Sequence, residues 1–155
     1  MSTAQAEAET FWHRCRETLG LPAQTRWRTR RLGNSPDVCA TLLDLIASGA
    51  KTGTFSLLAE FEQTGQAAPV AGEYLLITDY DHRPRCCVRL DRVELRPFDQ
   101  INEEWINVEG PALRELGAWR DLHREYWSRM LAGWGLEFAP DTPVLCQRFG
   151  PPFCP

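Results

Sequence analysis

"GAKTGTFSLL" (residues 49–58) follows an apolar helical pattern, "DVCATLLDLIAS" (37–48), and runs into "FSLLAEF" (55–61). Its two glycines, lysine and threonines suggest a phosphate cradle. A P-loop, however, leads from a strand into a helix and carries a glycine five positions before the second glycine of its Gly-Lys-Ser/Thr ending. Neither condition holds. The stretch is therefore read as a helix-to-strand turn, in which Gly49 is the left-handed residue closing the helix. Lys51 and Thr54 project from the turn beyond it.

Working outward, "NSPD" (34–37) supplies the start of that helix. Ser35 caps it, Pro36 suits its first position, and Asp37 favours its positive end. Upstream, Ala6 to Leu19 fits an amphipathic helix closed by Gly20 and kept from continuing by Pro22, packing outside the core. Downstream, "TFSLLAEF" (54–61) reads as a strand and "QTGQAAP" (63–69) as a polar loop. "AGEYLLITDY" (71–80) and "RCCVRLDRVELRPF" (85–98) read as two strands joined by the turn "DHRP", the second of them half exposed and bulged. The pattern turns helical from "DQINEEWINVEG" (99–110), with a substantial helix over Leu113 to Ala132, before "TPVLCQRF" (142–149) as a final strand. Helices inserted between strands without regular βαβ alternation indicate an α+β fold, with a small curved barrel as its architecture.

The 155 residues, 43% hydrophobic and 25% charged, suit one globular domain with a sizeable core. No apolar run is long enough to span a membrane, and "MSTAQAEAET" lacks the basic start and apolar centre of a signal peptide, so a cytoplasmic protein is expected. The six cysteines include no CxxC pair and are read as reduced, small hydrophobes rather than zinc ligands. Cys86 and Cys87, as neighbours on a strand, point to opposite faces. A net charge of -4 and a pI near 5.4 argue against global attraction to nucleic acid. Locally, "RWRTRR" (26–31) interleaves four arginines with a tryptophan. It is read first as a solvated linker between two helices; the alternative is a segment holding phosphates while the indole stacks on a base.

The ordered series resembles the ASCH domain family, whose members share a PUA-like β-barrel. The resemblance rests on Gly49-x-Lys51-x-x-Thr54 after a helix, then "PVAGEYLLITDYDHRPRCCVRL" (69–90) and "PFDQINEEWINVEG" (97–110). It continues through Trp119 and His123 in "AWRDLHREYW" (118–127) to "VLCQRF" (144–149). It implies an N-terminal helical extension over residues 1–30, the ASCH domain over 31–150 and an irregular tail at 151–155. One departure is Leu32-Gly33-Asn34-Ser35 where larger bacterial members carry a Phe-Gly-Asp-Ser-like start, which removes an acidic group there.

Compact members of that family include amidohydrolases that remove the acetyl group from N4-acetylcytidine, and the resemblance carries their catalytic roles onto Lys51, Thr54 and Glu109. Two divisions of labour suit these residue types: neutral Lys51 activates Thr54, or charged Lys51 stabilises an oxyanion while Glu109 handles protons. The plain structural alternative has Lys51 capping a helix end, Thr54 opening a strand and Glu109 on a solvated turn. Arg31, Tyr80, Trp119 and His123 are candidate contacts to substrate or nucleic acid. Trp119 and His123 share a helix face and are read first as core packing around a hydrogen-bonded histidine, the alternative being an indole that stacks on a base beside an imidazole that binds phosphate or moves a proton. The implied partner is a modified nucleoside or single-stranded RNA, and no cofactor or metal is called for by the amidohydrolase reading. An RNA-binding module using the same cleft, or a ribonuclease with a divalent metal, are the competing readings.

Overall fold

The computed structural model describes residues 1–155. In chain order it contains α1 (Thr3–Leu19), β1 (Trp27–Arg31), α2 (Pro36–Ala47), β2 (Gly53–Leu57) and α3 (Leu58–Thr64). These are followed by β3 (Tyr74–Thr78), β4 (Pro84–Pro97), α4 (Glu103–Ile106), α5 (Leu116–Gly133) and β5 (Pro143–Phe149). The five strands form one curled sheet in the order β1-β3-β4-β5-β2, a half-barrel whose two edges are β1 and β2. β1 runs parallel to β3; every other neighbouring pair is antiparallel.

Strand alternation sorts the side chains into separate cores. Leu75, Ile77, Cys86, Val88 and Leu90 point to one face, where Ile46 of α2 and Phe149 join them. Leu76 and Cys87 point to the other, where Ala8, Trp12 and Cys15 of α1 cover them. Trp12 also stacks on Trp27 with ring centroids 5.6 Å apart. The opposite placement of Cys86 and Cys87 is thus the one the strand period demands. A third and larger core joins Phe55 and Leu57 of β2 and Val144 and Cys146 of β5 to Trp105, Trp119 and Trp127 of α4 and α5.

The caps of α2 follow its sequence: the Ser35 hydroxyl accepts from Val38 N–H at 3.2 Å, and Gly49 takes φ 81° beyond the helix end. β4 is bulged between Leu90 and Arg92, where its pairing with β5 shifts register.

Three expectations need correction. "RWRTRR" is not a linker: residues 27–31 pair in parallel with Tyr74–Thr78, since alternation gives Trp27 an apolar seat on Trp12 and lets Arg28 reach Glu73 at 2.6 Å. "TFSLLAEF" is strand only to Leu57; Leu58–Thr64 is a helix closed by Gly65 at φ 72°. The cysteines are not all reduced, because Cys86 and Cys154 form a disulfide. That bond and a bridge between Phe153 and Cys87 pin the tail along β4, beyond the end of β5.

Candidate active site

Two turns deliver the central pair. At the end of α2, Gly49 N–H donates to Ile46 O and Lys51 N–H donates to Leu45 O at 2.9 Å, which folds the chain back and drives Lys51 inward. After α4, Glu109 N–H donates to Ile106 O at 3.0 Å and turns its carboxylate towards the same point. Lys51 Nζ lies 3.1 Å from Glu109 Oε1, with both side chains about 95% buried (4% and 5% exposed). Lys51 is the only lysine in the chain, all other basic side chains being arginine or histidine. Burying an ion pair costs desolvation that a structural role repays poorly, which makes this pair a candidate for chemistry.

Arg114 fixes the spacing of those turns. Its guanidinium donates to Glu109 O at 2.7 Å and to Ala50 O at 2.5 Å, strapping together the segments that carry the ion pair. Nothing in "PALRELG" signals this role, because the contacts are to backbone carbonyls that only the fold brings together.

The pair lines a cavity of about 510 Å³, within the range of small-molecule sites. β2 contributes Thr54, Phe55 and Ser56, β1 contributes Arg30 and Arg31, and α5 contributes Leu122, His123 and Tyr126. Since β2 is an edge strand, residues from both of its faces reach this space. His123 Nδ1 sits 2.8 Å from Trp119 O, and a carbonyl can only accept, so Nδ1 carries the proton and Nε2 of the neutral ring is an acceptor. Burial holds the His123 pKa below its ordinary value. The Trp119 hydrogen bond and the Glu109 carboxylate oppose that shift, and the Lys51 charge adds to it.

Of the seven residues singled out from sequence, Lys51, Thr54, Glu109, Arg31 and His123 line this one cavity. Trp119 does not: it is fully buried, stacked between Phe98 and His123. Tyr80 also lies outside it, under the Arg31 guanidinium at 4.7 Å from the ring centroid. Ser56 was missed, and Arg30 was weighed only as one of the arginines of "RWRTRR". The strand period could have found Ser56, two residues after Thr54 and so on the same face. No group of three His, Cys, Asp or Glu side chains is placed to hold a metal ion.

A curled five-stranded half-barrel with flanking helices and a cleft lined by both apolar and polar side chains is a small PUA-like barrel in class. The ASCH domain model matches residues 29–150, and the chain belongs to that family of RNA-related domains. Among solved structures, protein EF3133 from Enterococcus faecalis V583 is similar, with a TM-score of 0.79 and 28% identity over 94% of this chain and 87% of that one. The ASCH domain from Lactobacillus crispatus JV V101 shares the fold, with a TM-score of 0.78 and 24% identity over 94% of this chain and 91% of the other. No curated protein matches the chain.

Proposed function

We propose that the protein hydrolyses an amide on a modified nucleoside, N4-acetylcytidine being the model substrate. The observation that carries this reading is the buried Lys51–Glu109 pair at 3.1 Å, sharing a cavity with the Thr54 hydroxyl. Of the two divisions of labour, an ammonium bonded to a carboxylate favours Lys51 as the charge that steadies an oxyanion and Glu109 as the group that moves protons. Thr54 Oγ1 attacks the carbonyl carbon, Glu109 takes its proton, and the carbonyl electron pair moves onto oxygen beside Lys51. Collapse re-forms the carbonyl and breaks the C–N bond. Glu109 passes its proton to the departing exocyclic amine, and water then hydrolyses the acyl ester on Thr54, releasing acetate.

The test is incubation of the purified protein with N4-acetylcytidine and chromatography of the products. Cytidine release by the wild type that is lost in Lys51→Ala and Thr54→Ala is the expected result. A folded wild-type protein that releases no cytidine defeats the reading.

A second reading is RNA recognition by the same cleft without bond cleavage, and Arg31 favours it. That side chain is exposed at the cavity wall, has no carboxylate partner and lies over Tyr80. RNA affinity that weakens steeply with salt and falls in Arg31→Ala, without product, is its signature.

A further inference from the structure

Ser56 is 2% exposed and borders the cavity, and its oxygen is unusually engaged. Arg30 Nη2 donates to Ser56 Oγ at 3.0 Å, and Gln147 Nε2 donates to the same atom at 3.1 Å. A hydroxyl has two lone pairs and one hydrogen. With both lone pairs occupied by donors, only the hydrogen is left, and no protein group accepts it.

The donors behind it are themselves fixed. Arg30 grips Glu60 of α3 through two bonds, at 2.8 and 2.9 Å, which holds its guanidinium in plane. Gln147 sits opposite Thr54 in the β2–β5 ladder and is 2% exposed. A cation donating to Ser56 Oγ draws electron density from it and makes its own O–H a stronger donor. The result is a directed hydrogen-bond donor on the same strand face as the Thr54 hydroxyl, in a wall that also carries the ion pair.

We propose that Ser56 is a catalytic residue, the hydroxyl partner of Lys51 in an oxyanion hole, with Arg30 and Gln147 as positioning residues behind it. This rests on the amide-hydrolysis reading above. Spacing supports it. Thr54 and Ser56 lie two residues apart on one strand face, about 6.6 Å along the strand. With a nucleophile about 3 Å from the carbonyl carbon on its oblique line of attack, a carbonyl bond of about 1.2 Å and a donor about 2.8 Å from the oxygen, the span from nucleophile to donor is about 6.3 Å at most. That is within a few tenths of an ångström of the strand repeat, a difference that side chains leaning along the strand take up, so a carbonyl attacked by Thr54 turns its oxygen towards the Ser56 hydroxyl. As the carbon becomes tetrahedral, the pair that moves onto oxygen is met by that O–H; as the C–N bond breaks, the pair returns and Ser56 keeps its proton throughout.

The experiment compares kcat and KM on N4-acetylcytidine for wild type, Lys51→Ala, Ser56→Ala and Ser56→Thr, with thermal melting of each to confirm folding. Removal of one oxyanion donor is expected to lower kcat by about 10²–10³-fold. The KM of Ser56→Ala should stay within about threefold of wild type, and Ser56→Thr, which keeps a hydroxyl, should recover most of kcat. A folded Ser56→Ala with kcat within threefold of wild type, while Lys51→Ala is inactive, overturns the Ser56 assignment and leaves the amide reading standing. The same holds if KM alone changes. A wild type that turns over no substrate overturns both.

Discussion

His123 links the candidate site to the stability of the fold. Its Nδ1 proton is committed to the Trp119 carbonyl and its ring is packed against Trp119, Phe55 and Trp127. In the folded protein its pKa lies below the ordinary 6.5, with burial as the largest cause. The unfolded chain therefore binds the proton more readily, so stability is full above about pH 6.5 and declines as pH falls from there through the lower, folded value. Denaturant melts across pH 5 to 8 should show that decline, and His123→Gln should flatten it. Asp79 and Glu94 are separable, because their lowered pKa values place their losses below the ordinary carboxylate values of 3.8 and 4.5. An unchanged slope in the variant would remove His123 from the account. At this scale Lys51, Thr54 and Glu109 were legible because the motif fixes their order. Arg114 was not, because a strapped carbonyl has no sequence signature, and the strand period places Ser56 beside Thr54 without marking what its oxygen holds.

β2 shows what the second glycine of "GAKTGT" (49–54) is for. A Cβ on Gly53 would stand 2.2 Å from Gln147 O and 2.7 Å from Val108 Cβ, so any side chain pushes the strand away from β5 and from the turn before Glu109. Gly53→Ala is expected to destabilise the protein by about 1–3 kcal/mol, the usual cost of overpacking, and to lower activity on any substrate of the site. Thermal denaturation measures the first effect; a variant as stable as wild type would show that the strand yields freely. The same element marks where sequence reading stopped short. "TFSLLAEF" carries apolar residues through both the strand and the first turn of α3, and continuous apolarity does not distinguish the two. β1 was hidden for the opposite reason. Its arginines look solvated, yet Arg28 and Arg30 find carboxylates on the inner face.

For the whole molecule, the disulfide between Cys86 and Cys154 closes a sequence separation of 68 residues. In the chain-entropy account a loop of that length contributes about 4 kcal/mol by restricting the unfolded chain. Reduction, or Cys154→Ser, should therefore lower the melting temperature. Cys39→Ser, at a buried free thiol outside the pair, serves as the comparison that reduction should still affect. A melting temperature indifferent to reductant would mean that the tail carries no such constraint. The α+β class and the helix preceding the motif were readable from period and caps. The pairing of the tail was not, because a cysteine two residues beyond "GPP" (150–152) gives no hint of which partner it meets.

The order β1-β3-β4-β5-β2 leaves the two outermost strands without a ladder between them. The cavity lies at that gap, and Arg30 crosses it from β1 to reach Ser56 and Glu60. In mechanical terms the sheet is a spring clip. Widening it elsewhere means breaking backbone bonds, whereas parting its jaws strains only side chains. The compliance of the molecule is therefore concentrated where a ligand would enter, and a bound group spanning the jaws would stiffen the whole clip.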